Sequence, residues 1–327
     1  MSNFRWGILG TGGIARDFVE DLKHVDAHQV VAVGSRSLNK AENFISQIPG
    51  ATAYGSYEEL VNDSHLDAIY VATPHPMHQQ HTELALNAGK PVLCEKPFAI
   101  SAIEAESMVS TAGKNGVALL EAMWTRYLPH ITQVREILAS GILGEIQTVE
   151  ADHGQRLADQ NIPRLVDPAL GGGALLDLGI YPVSFAHLVL GTPSKITASA
   201  AMTALGVDSQ TSAIFDYPGG AQAIINTTMI AQTPCRAVIS GLKGRLEIDR
   251  TFYNPASMRV ILFDGNVTEY PNTYLGHGLR EQAIEMARVV RAGLLESPLM
   301  PWKESIAVMK TMDEIRSQIG LVYPFEN

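Results

Sequence analysis

The chain is poor in cysteine, in positive charge and in long apolar runs, and each shortage removes a class of function. Only two cysteines occur, Cys94 and Cys235, far apart and in no metal-ligand spacing. That excludes a disulfide-stapled scaffold and fits a reducing, cytoplasmic setting. Lys plus Arg total 24 against 34 Asp plus Glu, a net charge of −10, and no basic cluster appears. Nucleic acid and anionic membrane surfaces are therefore poor partners, and a small-molecule substrate is expected instead. The apolar runs are strand-sized and interrupted by Gly or polar residues, so no bilayer span is expected. The opening Met1-Ser2-Asn3-Phe4-Arg5 lacks the features of a secretory signal. No G-x-S-x-G elbow occurs, which argues against a serine hydrolase.

What is present reads as two domains. The 327 residues, 46% apolar and 18% charged, suffice for two hydrophobic cores. Over 1–123, short β-rich runs (29–34, 68–72, 91–94 and 117–120) alternate with helical stretches (14–23, 39–47, 77–88 and 102–114). Gly89 and Gly116 stand where the last two helices should stop. This is the α/β pattern of a doubly wound parallel sheet, whose ligands bind at the carboxyl ends of its strands. Over 124–327 the pattern changes. A helix (129–139) and a strand (146–153) precede a Pro- and Asp-bearing loop, then a helix near 174–190. Six strand-like runs follow between 195 and 263 with hairpin-like spacing, and helices at 279–292 and 303–319 close the chain. An α+β domain with a large, open, mostly antiparallel sheet is expected, with the last helix free to pack back on the first domain. One face of such a sheet needs a cover, and self-association supplies one.

The first chemical signal is Gly10-Thr11-Gly12-Gly13-Ile14-Ala15, directly behind the apolar run 6–9. It matches the dinucleotide fingerprint G-x-G-x-x-A. Gly10 allows the tight turn, Gly12 keeps side-chain atoms off the pyrophosphate, and Ala15 lets the helix lie close to the strand. The helix N–H groups, starting near Gly13, would face the phosphates. The tip of the second strand, Ser35-Arg36-Ser37, carries no carboxylate for a ribose 2′-OH. Arg36, with Ser35 and Lys40 nearby, suits a 2′-phosphate instead. NADP is thus expected, with NAD as the alternative.

Two further clusters carry chemistry. Cys94-Glu95-Lys96-Pro97 leaves the strand near 91–94 at the ligand edge, where a lysine can bond a substrate oxygen or lower a neighbour's pKa. Gly171-Gly172-Gly173 opens a helix that carries Asp177 and Tyr181, four apart. The glycines would let another backbone or a ligand come close, and the two side chains would share one helix face. Alone, Lys96 reads equally as a loop lysine and Asp177 as a helix-dipole partner. His75, His78 and His81 recur every third residue, but Pro76 breaks the first turn and the spacing drifts around the helix, so no metal is expected.

Taken together, the glycine turn, Glu95-Lys96-Pro97 and the Gly-Gly-Gly…Asp177…Tyr181 helix resemble the Gfo/Idh/MocA oxidoreductase family along the whole chain. Many members carry histidine at the Tyr181 position. The tyrosine form resembles a narrower branch that includes dimeric dihydrodiol and NADP-dependent D-xylose dehydrogenases. Glu121-Ala122-Met123-Trp124-Thr125-Arg126-Tyr127-Leu128-Pro129 and the stretch 313–320 also fit that branch. The resemblance implies Tyr181 as acid–base, Lys96 as the cation that lowers its pKa, and Asp177 holding Lys96 or a substrate hydroxyl. It implies a cofactor loop at Thr73-Pro74-His75-Pro76-Met77-His78, continued by Glu95 and Lys96. Trp124 and Arg126 would meet cofactor, and Trp124 and His153 the substrate. It also implies a cis peptide before Pro97 and a homodimer, or a dimer of dimers, built through the open sheet.

The reaction expected is hydride transfer between the nicotinamide and a sugar, a polyol or a cyclic trans-diol. A non-catalytic dinucleotide-sensing regulator of the same fold is the alternative, and a redox-neutral NAD cycle a third. The loops 155–170 and 250–278 carry no interpretable motif. Phe252, Tyr253, Tyr274 and His277 in or near them read equally as pocket, core or solvated loop.

Overall fold

The computed structural model describes residues 3–157 and 162–326, so part of the 155–170 loop lies outside the described residues. The chain forms two compact units, one of Met1–Tyr127 with Leu275–Ile306, the other of Leu128–Tyr274 with Ala307–Asn327. A single boundary after residue 123 therefore leaves out the return of 275–306 to the first unit.

Unit 1 alternates β1 (Phe4–Leu9), α1 (Gly13–Leu22), β2 (His28–Gly34), α2 (Leu38–Ile45), β3 (Thr52–Tyr54), α3 (Tyr57–Val61), β4 (Ala68–Val71), α4 (His78–Asn87), β5 (Val92–Glu95), α5 (Ala102–Asn115) and β6 (Leu119–Ala122). The six strands form one sheet in the order β3-β2-β1-β4-β5-β6, and every pairing is parallel. Strands β4, β5 and the edge strand β6 are buried along their whole length, as mostly apolar runs covered on both faces should be. Helix α1 buries Ala15, Phe18, Asp21 and Leu22, spaced for one face. Phe18 stacks on Tyr70 at 4.1 Å and meets the edge of Trp6 at 5.4 Å. Fully burying such side chains contributes about 1.5–3 kcal/mol each.

Local signals set the helix ends. Ser101 accepts from the Glu104 N–H to start α5, and Gly116 at φ 63° ends it. Gly89, at φ 74°, closes α4 in the same way, with the Lys90 N–H returning to the Ala85 carbonyl. The later segment of unit 1 contributes α9 (Arg280–Arg291) and the start of α10 (Trp302–Ile319). Trp302 Nε1 donates to the Leu119 carbonyl at 2.8 Å. Asp21, 3% exposed, accepts from the backbone N–H groups of His277, Gly278 and Arg280.

Unit 2 holds α6 (Pro129–Ala139), β7 (Ile146–Gly154), α7 (Pro163–Val166) and α8 (Ile180–Leu190). After them come β8 (Lys195–Met202), β9 (Asp208–Asp216), β10 (Gln222–Thr228), β11 (Ala237–Gly241), β12 (Gly244–Ile248), β13 (Met258–Leu262) and β14 (Val267–Tyr270). The eight strands form one sheet in the order β14-β13-β12-β11-β7-β10-β9-β8. All neighbours are antiparallel except β7 and β10, which run parallel because β7 inserts between β10 and β11. Hairpin spacing finds β8 to β13, but neither this insertion nor β14, which falls in the stretch read as the 250–278 loop.

Strands β9 and β10 alternate buried and exposed residues, so one face is packed and the other bears Ser212, Ile214, Ile224 and Asn226 outward. Thr227, on the packed face, donates to the Ala174 and His153 carbonyls. The 168–190 segment is apolar and long enough to cross a membrane, contrary to the expectation that no such run exists, but 83% of its window is buried inside the protein. Its apolar character is that of the core helix of this unit.

Candidate functional site

In unit 1, the features that suit a dinucleotide gather at the carboxyl ends of the parallel strands. Gly10 lies at φ 116°, and a Cβ there would come 2.6 Å from the Ala72 carbonyl oxygen, so only glycine fits. Helix α1 begins with Gly12 as its cap, no side-chain hydrogen bond and no acidic residue in its first turn. Gly12 and Gly13 are exposed, with nothing nearer than 4.0 Å to a Cβ at the first and open space at the second. The first N–H groups of α1 thus lack an intrahelical partner and face an uncrowded space, which fits a pyrophosphate.

At the tip of β2, Ser35 is buried and its N–H donates to the Tyr54 carbonyl, while Arg36 and Lys40 are exposed. Arg36 reaches the Tyr57 hydroxyl, an attraction that opposes the upward push of burial on that phenol. The loop after β4 is fixed by histidines. His78 is fully buried, with Nδ1 2.8 Å from the Pro97 carbonyl and Nε2 2.9 Å from the Thr73 carbonyl. His81 Nδ1 lies 3.0 Å from Thr73 Oγ1. Burial lowers the pKa of His78 against the opposing pull of the Pro97 and Thr73 carbonyls, and burial brings that of His81 to about 4. His75 packs edge-on against His78 at 5.6 Å. Among the described residues, no three His, Cys, Asp or Glu side chains are grouped to hold a metal ion.

Glu95 is buried at the end of β5, where the Tyr70 hydroxyl donates to one oxygen and the Lys96 N–H to the other at 3.1 Å. It braces the loop that presents half-buried Lys96, and the Lys96–Pro97 peptide is cis, as expected. Trp124 is buried. Arg126, 1% exposed, pairs with Glu304 at 2.6 Å, a partner that sequence order conceals. Next to this pair Glu121 is fully buried, and loss of water pushes its carboxyl up to about 7.

In unit 2, the glycine run is packed against the protein's own atoms. A Cβ on Gly172 would lie 2.9 Å from the carbonyl oxygens of both Asp167 and Leu165. Gly173, at φ 118°, leaves room for Asp208, whose Oδ1 would stand 2.3 Å from a Cβ there. Asp208 Oδ2 accepts from the Leu175 N–H at 2.9 Å and from Thr211 Oγ1 at 2.7 Å. Burial pushes this carboxyl up to about 6. From the C-terminal segment, Tyr323 donates to the Gly172 carbonyl at 2.8 Å. Of the two readings of these glycines, close approach of backbone or of ligand, the structure displays the first.

The helix then starts with a π turn, Leu175–Gly179, before α8. Asp177 is buried and accepts from Arg164 Nη1 at 2.8 Å, a residue that no sequence motif marks. Tyr181 stacks on Tyr253 with ring centres 4.5 Å apart, and His153 lies 4.1 Å from Tyr253 and 5.3 Å from Tyr181.

His153 is 1% exposed. Gln155 Nε2 donates both to His153 Nε2 and to the Tyr253 hydroxyl, each at 2.8 Å. With Nε2 accepting, His153 carries its proton on Nδ1, which donates to the Leu178 carbonyl in the π turn at 3.1 Å. Both ring nitrogens of this expected substrate residue are thus engaged by the protein, and its ring lies tilted at 60° to that of Tyr181. Burial raises the Tyr253 phenol well above its usual range. Of the undecided loop residues, Phe252 is core against Phe185, Tyr253 joins the stack, Tyr274 is half-buried, and His277 is exposed.

A family model described as "Oxidoreductase family, NAD-binding Rossmann fold" matches residues 4–123, and one described as "GFO/IDH/MocA C-terminal domain" matches 131–247. The chain is 38% identical to a trans-1,2-dihydrobenzene-1,2-diol dehydrogenase of Xenopus tropicalis, over 98% of this chain and 99% of that one. It is 39% identical to a D-xylose 1-dehydrogenase (NADP(+)) of Hypocrea jecorina, over 98% and 93%. Among solved structures, a 3-ketoreductase from Actinomadura kijaniata in complex with NADP and TDP-benzene superposes with a TM-score of 0.86. That match has 27% identity and covers 97% of this chain and 98% of that one.

Proposed function

The chain belongs to the Gfo/Idh/MocA oxidoreductase family, and from that membership and the two half-sites we propose that it is an NADP-dependent dehydrogenase or reductase. Its substrate is a sugar, a polyol or a cyclic trans-diol. The observation that carries this reading is the framing of Tyr181: one phenol is fixed by a stack on Tyr253 and by His153, which is itself pinned from both nitrogens. A sensor that only binds dinucleotide has no use for so constrained a phenol.

Bound NADP supplies the hydride acceptor in oxidation and, reduced, the donor in the reverse direction. The exposed start of α1 receives the pyrophosphate, and Arg36, with Ser35 and Lys40, pairs with the 2′-phosphate. The Thr73-Pro74-His75 loop and Glu95-Lys96 line the ribose and nicotinamide side, with Trp124 and Arg126 behind. Tyr181 takes the proton from the carbinol oxygen as the hydride leaves its carbon, and returns it in reduction. Lys96 contributes the positive charge that favours the phenolate, bringing a group of ordinary pKa about 10 towards neutrality. Asp177, oriented by Arg164, positions a substrate hydroxyl. The partly apolar outer face of the large sheet is the surface through which two copies pair, which sedimentation at graded concentrations would test.

Assays of NADPH absorbance with aldoses, polyols and trans-dihydrodiols test the reading directly. Tyr181→Phe is expected to lose about 10²–10⁴-fold in kcat while NADPH binding persists. Near-normal turnover in that variant would overturn the acid–base role. NADPH binding without turnover on any alcohol in the panel would favour the regulator.

A further inference from the structure

The reaction proposed above uses Tyr181 but leaves unexplained a buried carboxylate beneath the start of its helix. Asp208, at the head of β9, is 0% exposed and belongs to no recognised motif. One oxygen accepts from the Leu175 N–H, the first amide of the π turn, and from the Thr211 hydroxyl. The other points at Gly173 and has no hydrogen-bond partner among the described residues. The chain keeps a glycine at φ 118° where any Cβ would strike this carboxylate.

On the neighbouring glycine, Tyr323 holds the Gly172 carbonyl, while the Arg316 guanidinium lies over the Tyr323 ring at 5.3 Å and pairs with Glu326. Two side chains from distant parts of the sequence therefore meet at one helix start, Asp208 on the Leu175 amide and Tyr323 on the Gly172 carbonyl. Isolated burial of a carboxylate is costly, and a simple helix cap needs no more than an exposed Ser or Asp. Here the acceptor is buried and backed by a second clamp, so it fixes a backbone position more tightly than capping alone would.

We propose that Asp208 is a positioning residue: by holding the Leu175 amide against Gly173 it sets the π turn, and through that turn the placement of the Tyr181 phenol. Tyr323 acts as the second jaw. The π turn is also where His153 finds its acceptor, the Leu178 carbonyl, so a shift at Leu175 reaches Tyr181 by two routes, along the helix and across the aromatic stack. This rests on the acid–base reading of Tyr181 for its kinetic consequence, but not for its structural one.

The test compares Asp208→Ala, Asp208→Asn and Tyr323→Phe in the full-length protein, using kinetics and amide hydrogen exchange of the 174–190 segment. Asp208→Ala should lower kcat about 10- to 100-fold, the scale of a misplacement near 1 Å, with the KM for NADP unchanged. Its exchange should speed up at 175–181. Asp208→Asn keeps an acceptor for Leu175 and Thr211 and should recover most of both, whereas Tyr323→Phe should give a smaller loss of the same kind. Should the alanine variant fail to fold, Thr211→Val, which removes one donor to the carboxylate, takes its place with the same expectations at reduced size.

Wild-type kcat in Asp208→Ala would overturn the proposal. So would equal losses in the Ala and Asn variants, or a kcat loss without faster exchange at 175–181. If Tyr181→Phe stays active while the exchange pattern holds, it is the acid–base reading that fails and the clamp that stands.

Discussion

Two helices in this protein begin at glycine-rich turns, and the two turns do opposite things. At Gly10-Thr11-Gly12-Gly13, the space around Gly12 and Gly13 is open and the helix has no side-chain cap. At Gly171-Gly172-Gly173, the carbonyls of Leu165 and Asp167 and the Asp208 carboxylate fill the space that side chains would occupy. The first turn keeps room for a visitor; the second removes room so that two parts of one chain can touch. Glycine count alone cannot separate them, but the position of neighbouring backbone can.

Substitutions that add one methyl to each turn separate the two roles. The largest effect is expected for Gly173→Ala, where positive φ and the clash with Asp208 combine. Thermal or urea unfolding should show a loss of about 2–4 kcal/mol, and activity should fall with it. Gly12→Ala meets no strain, since Gly12 sits at φ −76°. Stability should hold within about 1 kcal/mol, while NADPH affinity by fluorescence titration drops about 10- to 100-fold, the scale of one misplaced methyl against a phosphate. Unchanged affinity there would break the contrast.

Arg36→Ala should weaken NADP by about tenfold and leave NAD nearly unaffected, as loss of one charge-assisted pair implies. A further effect, read along pH, concerns one buried acid of unit 1. Glu121 titrates at about 7 against an ordinary 4.5, so the folded state holds its proton more tightly than the unfolded chain. Stability then declines as pH rises from about 4.5 to 7 and levels off above. Glu121→Gln should flatten that decline, a difference of about 2–3 kcal/mol read from unfolding free energies at pH 5 and 8.

Much of unit 1 was legible because its signals are local. Buried parallel strands are continuous apolar runs, and Gly89 and Gly116 mark helix ends through their own backbone freedom. Strand β6 begins at Leu119 rather than 117, because the Val117 N–H is still bonded to the Ala112 carbonyl of the ending helix. The three-residue β3 and five-residue α3 are too short to show a period. Lys96 and Tyr181 were visible through motifs. Arg164, Asp208, Gln155 and Glu304 were not, since each acquires its meaning from a partner 13 or more positions away or from a contact between elements that only folding creates. The π turn was equally hidden, as its sequence reads as ordinary helix.

The composition of unit 1 has a consequence for how the protein is made. Its first 127 residues contain every strand of the nucleotide-binding sheet, yet three buried groups among them wait for chain that is synthesised much later. Asp21 needs the amides of 277, 278 and 280, Arg126 needs Glu304, and the Leu119 carbonyl needs Trp302. On the ribosome, an emerging 1–127 segment would lack the partners that 275–306 gives Asp21, Arg126 and the Leu119 carbonyl until nearly the whole chain has appeared. For protein engineers, a module cut at residue 127 would inherit that defect permanently, so grafting this nucleotide-binding half onto another partner means carrying 275–306 along with it.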